Sequence, residues 1–373
     1  MKQVLLITTA LTLAAGVTYA AGLDRSGQGV NIIFEEGTAA QLSYSLIDPS
    51  ISGSYAGTVS GDIGQSYGLP QLSFKTAITD TSDLALIYDQ PYGAHVIYNP
   101  AYALSINPND ITGKYNLRAE AKTHGLTAVL RQKLYNGFSV YGGLRVQTVD
   151  TNIAVPFVNG YTVTSDSPTD FGYLLGTSWE NPKIAARVAV TYNSKITHTL
   201  RASETVPNVV STTTPVDIET PQSLNLDFQT GIAENTLIFG TARWVNWSDF
   251  DYSPPIYASV TGGASLVGYE NDAITYTLGV GHRFSDAFSA AFQVGYEQSQ
   301  GNLVSNLGPT DGFWSVGVGG TYSQNNFQYS GGIRYIKIGN ATTDIRSAPG
   351  ASFSDNSALA LGLQITYRFE KRT

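Results

Sequence analysis

The residues with chemistry to offer are cations. In stretches where apolar and polar residues alternate, Lys75, Arg131, Arg145, Arg187, Arg283, Arg334 and Arg368 share the polar parity with Asp227 and Glu297. A chain of formal net charge −8 thus gathers positive charge on one set of faces. Guanidinium groups donate two parallel hydrogen bonds to a carboxylate, so such a face would welcome an anionic head group. The same arginines could equally brace carboxylates on neighbouring strands or keep an interior hydrated. Catalytic chemistry finds less support. There is no Gly-x-Ser-x-Gly elbow to present a nucleophilic serine. Asp249 and Asp251 have no obvious histidine partner, and His95, His124, His198 and His282 lack metal-ligand spacing. With no cysteine either, we expect no enzyme, no catalytic residue, no cofactor and no metal site.

What holds those cations on one face is the strand. From Ile274 to Gln298 the chain reads ITYTLGVGHRFSDAFSAAFQVGYEQ. Ile274, Tyr276, Leu278, Val280, His282 and Phe284 share one parity; Thr275, Thr277, Gly279, Gly281 and Arg283 hold the other. After Ser285-Asp286-Ala287 the apolar face resumes with Phe288, Ala290, Phe292, Val294 and Tyr296. Side chains alternate faces along a strand, so this is an antiparallel hairpin. A soluble sandwich would load its polar face with Lys, Glu and Asp. Here that face is mostly Gly, Ala, Ser and Thr, and aromatic residues stand near the ends of the apolar one. That is the pattern of a transmembrane barrel, apolar towards lipid and polar towards the lumen.

Composition agrees. Charged residues make up 13% of the 373-residue chain, about half the usual share of a soluble domain. Residues 1–20 read as a secretory signal peptide: Lys2, an apolar run from Val4 to Val17, and a small-residue site at Thr18-Tyr19-Ala20. After Ala21 no apolar run is long enough for a membrane-spanning helix. The acidic balance argues against a nucleic-acid partner. Residues 21–36 are glycine-rich with an apolar knot at Val30, Ile32, Ile33 and Phe34, expected to fold into the barrel as a short plug.

From residue 37 to 373 we expect an all-β, antiparallel barrel of about fourteen strands. They fall roughly at 37–50, 70–79, 83–90, 115–134, 138–150, 171–180, 183–198, 222–233, 236–250, 272–284, 288–299, 312–323, 327–339 and 357–369. Short turns such as Tyr135-Asn136-Gly137, Asn181-Pro182 and Ser285–Ala287 alternate with long loops, among them 151–170 and 199–221. Short turns belong to the periplasm and long loops to the exterior, which would put both termini in the periplasm. Two strands fit less well. The apolar parity of 115–134 changes near His124-Gly125, which calls for a bulge or for a first half that rises above the lipid. In 236–250 neither parity is clean, and Arg243 and Trp244 compete for the lumen. Trp179, Trp244, Trp247 and Trp314 are expected in interfacial girdles.

Several stretches resemble the FadL-type outer-membrane transporters of long-chain fatty acids and other hydrophobic molecules. They are Tyr88-Asp89-Gln90-Pro91-Tyr92-Gly93-Ala94, the span 220–250 with Gly231-Ile232-Ala233-Glu234-Asn235 and Ala242-Arg243-Trp244-Val245-Asn246-Trp247, the span 269–280, and the span 311–322. The resemblance covers nearly the whole chain after residue 21 and is weak at any one residue. It implies fourteen strands, an N-terminal hatch that moves, ligand binding near the outer surface, and a kinked third strand opening sideways into the outer leaflet. Here the third strand runs into Pro91, which cannot donate to a ladder, and Pro91 is the candidate for the lateral opening. Two departures stand out. The only Asn-Pro-Ala triad, Asn99-Pro100-Ala101, comes after the third strand instead of lying in the plug, and Phe369 is followed by Glu-Lys-Arg-Thr.

The resulting expectation is passive uptake of long-chain fatty acids or related hydrophobic compounds across the outer membrane of a Gram-negative bacterium. Ile32, Ile33 and Phe34 would take the acyl chain, and Arg145, Arg187, Arg283 or Arg334 the carboxylate. The partners would be a hydrophobic small molecule and outer-membrane lipid, with a monomer favoured. The alternative is a porin for small hydrophilic solutes, which the shortness of the plug favours. A third possibility is a surface protein whose loops bind partners.

Overall fold

The last strand shows how the chain closes on itself. Over Ser357–Phe369, Leu359, Leu361, Leu363 and Ile365 are exposed while Ala358, Ala360, Gln364 and Thr366 are buried. One edge of this strand pairs with Phe327–Ile338 and the other with Thr38–Ser50, the first strand. The structure is a computed structural model and describes residues 23–107, 116–166, 169–345 and 347–370. The expected signal peptide and residues 371–373 lie outside the described residues.

The closed antiparallel barrel has 14 strands. They are β1 (Thr38–Ser50), β2 (Tyr67–Ala77), β3 (Ser82–Asp89, resuming as Gly93–Ile97), β4 (Arg118–Lys133), β5 (Phe138–Val155), β6 (Asp170–Asn181) and β7 (Ala186–Asn193). Then come β8 (Ser223–Ala233), β9 (Thr236–Val245), β10 (Ala273–Arg283), β11 (Phe288–Glu297), β12 (Phe313–Gln324), β13 (Phe327–Ile338) and β14 (Ser357–Phe369). The hairpin β10–β11 has the expected faces: Leu278 and Val294 sit opposite one another and exposed, and Thr277 is buried. An outward apolar belt and a polar inner wall leave no free strand edge in the hydrocarbon, the condition for crossing a bilayer with strands.

The two ends differ. At the turn end, connections are tight, and Asn136 and Asn235 adopt left-handed backbone angles (φ 56° and 59°) that asparagine tolerates. At the loop end, the expected loops 151–170 and 199–221 are largely strand. Ile196–Val206 and Val210–Thr220 form a hairpin that pairs with Tyr161–Asp166, itself paired to the upper part of β5. Segments from three other connections, Gly53–Tyr55 with Thr58–Val59, Leu303–Val304, and Ala341–Asp344 with Pro349–Phe353, build a second small sheet. A short helix, α1 (Pro255–Thr261), has its first free amides, of Ile256 and Tyr257, bonded to the buried Glu204 carboxylate at 2.9 and 3.0 Å. The loop end is therefore a packed cap with its own core, in which Tyr98, Tyr102, Tyr161, Trp247 and Phe353 are fully buried.

Three expectations are corrected. β4 carries no bulge at His124-Gly125, because its register with β5 runs unshifted from Arg118↔Ala154 to Lys133↔Ser139. The apolar parity changes because the upper half of β4 leaves the lipid: Arg118, Glu120 and Lys122 face out, and Ala119 and Thr123 face in. Trp247 is no girdle residue but the centre of an aromatic cluster in the cap, 5.7 Å from Tyr92, 5.7 Å from Phe250 and 5.0 Å from Tyr269 between ring centroids. The strand expected over 183–198 ends at Asn193, where the chain leaves the barrel for the hairpin.

Candidate functional site

The irregularity lies opposite β4, in β3. Asp89 faces Gly125 and Gly93 faces Lys122, so Gln90, Pro91 and Tyr92 stand against only Thr123 and His124. One extra residue makes a bulge, and proline removes a donor there. A side chain replaces the missing ladder: Tyr92 N donates to Thr123 Oγ1 at 2.8 Å, and that hydroxyl donates to Tyr92 O at 2.7 Å. On its other edge β3 pairs with β2 from Ala77↔Asp83 to Leu72↔Tyr88. Above that level the β3 backbone meets the connection after β1 instead, through Gln65 N to His95 O and Ile97 N to Ile63 O. Between the two lies a seam in the wall at the height of Pro91.

The N-terminal segment covers this seam from inside. Arg25 N donates to Pro91 O and Gly93 N to Leu23 O, both at 2.8 Å, and Asp24 bridges to Tyr92. The tail packs directly on the strand there, and a Cβ at Gly93 would come within 2.7 Å of the Arg25 guanidinium and shift it. Arg25 lies 3.9 Å above the Tyr67 ring, and Ser26 Oγ donates to Asp89 at 2.6 Å. Across the lumen, Arg243 grips Asp24 (2.6 and 3.2 Å) while also donating to Asn225 at 2.7 Å and Ser223 at 3.0 Å. Leu23, the first described residue, is inside the barrel, not at its turn end.

Lower down, the apolar knot docks. Val30, Ile32 and Ile33 are buried against Ala85, Ile87, Val129, Tyr141 and Leu174. Phe34 meets Tyr141 edge-on at 6.2 Å and lies under the guanidinium groups of Arg187 (4.4 Å) and Arg131 (4.7 Å), a cation–π arrangement. The single turn Asn31–Phe34 ends in free carbonyls, and cations of the lumen wall bind these and the next few. Arg131 donates to Ile33 O at 3.0 Å, and Lys75 to Glu35 O and Gly37 O at 2.9 and 2.8 Å. Arg368 holds the Glu35 carboxylate at 2.7 Å.

Two cavities result. A polar one runs beside the plug along the opposite wall, with Gln41, Gln71, Asp227, Arg243, Thr277 and Gln364 in its lining. Above it, in the cap, an apolar one is bounded by Leu23, Tyr92, Ala121, Ile153, Trp247 and Phe250. Gly93 and Ala94 of the interrupted strand complete its wall, and among the described residues no charged side chain lines it. Burial raises the pKa of the Tyr252 hydroxyl, so this lining phenol also stays neutral. Tyr92 belongs to this lining, yet its hydroxyl donates away from the aromatic cluster to Pro221 O at 3.1 Å and reaches plug residue Gln28 at 3.5 Å.

No family model and no curated protein sequence matches the chain. Solved structures do. A FadL homologue of Pseudomonas aeruginosa superposes with a TM-score of 0.71 at 15% identity, over 91% of this chain and 92% of that one. The toluene transporter TodX of Pseudomonas putida gives 0.67 at 13% identity, over 96% and 98%. The toluene transporter TbuX of Ralstonia pickettii gives 0.66 at 14%, over 95% and 96%. The chain has the FadL-type fold.

Within this FadL-type barrel the arginines singled out from sequence do not converge. Arg145 donates to Thr127 at 2.8 Å and stands 3.7 Å from Asp89. Arg187 covers Phe34, Arg283 is bonded to the turn residue Asn235 at 2.6 Å, and Arg334 donates to Ser315 at 2.7 Å near the cap. Only Arg187 meets the Ile32–Phe34 knot, and none of the four lines either cavity. Sequence reasoning missed the apolar cavity because its lining comes from residues scattered over Leu23 to Leu307. One signal was present: Ala119, Ala121 and Thr123, the small residues whose odd parity broke the pattern of β4, form part of that lining.

Proposed function

We propose that this protein passes small, neutral, hydrophobic molecules across an outer membrane, with its loop end outside and its turn end in the periplasm. The observation that carries the reading is the uncharged apolar cavity in the cap, walled in part by the interrupted third strand. A molecule entering from outside would shed water there and then leave sideways through the seam at Pro91, or downward past Tyr92 and the plug. The toluene transporters among the similar solved structures are in keeping with this reading. So is the cavity itself, where a carboxylate would meet no cation and would carry a heavy desolvation cost. Ile32, Ile33 and Phe34 serve as the plug's anchor. Arg187 seats Phe34, while Arg145, Arg283 and Arg334 brace the wall.

Toluene uptake by cells that rely on this protein provides the test. Ile153→Trp fills the cavity from its wall and should sharply lower toluene uptake, while the added bulk costs about 1–3 kcal/mol of stability. Palmitate uptake should be low in both proteins. Toluene entry unchanged by the filled cavity, with heat-modifiable gel migration intact, would end the proposal. The polar cavity beside the plug favours a second reading, a leak for small hydrophilic solutes. Single-channel recordings in planar bilayers decide it: a steady large conductance would support the leak.

A further inference from the structure

The lining of the apolar cavity includes a buried indole donor with nothing to donate to. Trp247 is 1% exposed, and among the described residues no group accepts a hydrogen bond from its Nε1. A buried donor left unmade costs far more than a typical hydrogen bond contributes, so its presence in a ligand cavity asks for a reason. The indole cannot easily turn away, because Tyr92, Phe250 and Tyr269 pack around it within 5.7 Å between centroids.

The other polar groups of the lining, Thr151 apart, are committed to the protein. Thr123 is spent on both backbone atoms of Tyr92. Thr220 accepts from Gln147 at 3.1 Å and Tyr252 shares a hydrogen bond with Ser165 at 2.7 Å, whereas the Thr151 hydroxyl, near that of Tyr252, has no hydrogen-bond partner among the described residues. Tyr92 donates to Pro221 O. An indole N–H donates and never accepts. The lining therefore carries two groups without partners among the described residues, the Trp247 N–H, which can only donate, and the Thr151 hydroxyl, and no charge.

Resting on the uptake reading above, we propose that Trp247 Nε1 is a specificity-determining donor. It selects neutral hydrophobic molecules that carry one oxygen acceptor, such as aryl ketones, aldehydes or esters, over plain hydrocarbons of the same shape. A carboxylate gains the same bond but loses its hydration without a counter-charge, so it is excluded.

Acetophenone and α-methylstyrene, which differ in a C=O against a C=CH2, are the probes. Affinities are measured on the full-length protein in detergent, for native protein and for Trp247→Phe, which keeps an aromatic ring in the cluster. The ratio of the two affinities in native protein, divided by the same ratio in the variant, cancels detergent partitioning. One hydrogen bond gives a quotient of about five, because the change of ring size acts on both probes alike and cancels. A quotient of one, with both probes bound, overturns the donor role and leaves the uptake reading standing. That is also the outcome if the N–H only faces a neighbouring ring or a water. Binding of neither probe to native protein removes both. Should Trp247→Phe fail to assemble, the native protein still decides. With four tryptophans in the chain, the indole ¹H–¹⁵N resonance of Trp247 can be assigned. It should move downfield with acetophenone and not with α-methylstyrene, and equal shifts would overturn the proposal.

Discussion

Arg243 joins the plug to the wall, and its loss should be felt as an unpaired charge. It is 7% exposed and Asp24 is 6% exposed. Removing one partner of a buried ion pair costs roughly 3–5 kcal/mol, mostly because the other charge is left behind. Arg243→Met should therefore release the segment 24–36, seen as rapid proteolytic cleavage there and raised ion conductance. Adding Asp24→Leu should restore much of the protection. A single variant as resistant as native protein would show that the pair does not hold the plug. The sequence left Arg243 and Trp244 undecided for a physical reason. The inward parity of β9 also carries Leu237 and Val245, both buried, and Phe239, which lies over Gly279 of the next strand. Apolar residues thus occupy both faces, and alternation loses its meaning. The lumen parity of Lys75, Arg131, Arg145 and Arg334 was readable, since all four are buried on the inner wall. Their partners were not, because Glu35 O, Ile33 O and Ser315 come from distant parts of the chain.

At the level of elements, β10 and β11 were readable from alternation alone, and the faces can be tested one residue apart. Leu278 is 53% exposed on the lipid side and Thr277 lines the polar cavity. An arginine at the bilayer midplane costs about 2–4 kcal/mol. Leu278→Arg should severely reduce the heat-modifiable folded band, whereas Thr277→Arg should leave it near native level. The reverse result would mean that the two faces have been exchanged. The hairpin of the cap was harder to see. Its inward parity from Ile196 to Val206 includes His198 and Glu204, both fully buried. Each is tolerated because it is bonded: His198 to Asp170 at 2.9 Å, and Glu204 to Tyr161 at 2.9 Å and to the amides that open α1. Polar residues satisfied by distant partners look like loop until those partners are known.

For the molecule as a whole, the alternation of short and long connections foretold the barrel and its two unlike ends. Orientation derives from the same asymmetry. In intact cells, cysteine at Val209, 73% exposed at the tip of the cap hairpin, should react with a membrane-impermeant thiol reagent. Cysteine at Asn136 or Asp286 should not, and labelling of the latter pair alone would invert the topology. What the whole sequence could not reveal was how far the N-terminal segment reaches, because a glycine-rich stretch carries no period. That reach has a mechanical meaning. The seam beside Pro91 is joined to the tail by Arg25 N to Pro91 O, Ser26 N to Pro91 O and Gly93 N to Leu23 O. β4, by contrast, is paired with β5 along all 16 of its residues. A pull on Leu23 would unzip the few contacts at the seam one after another, while shearing β4 from β5 would have to break a whole row together. Under tension the tail would come off the seam, uncovering it from inside, long before any full strand was drawn out of the wall.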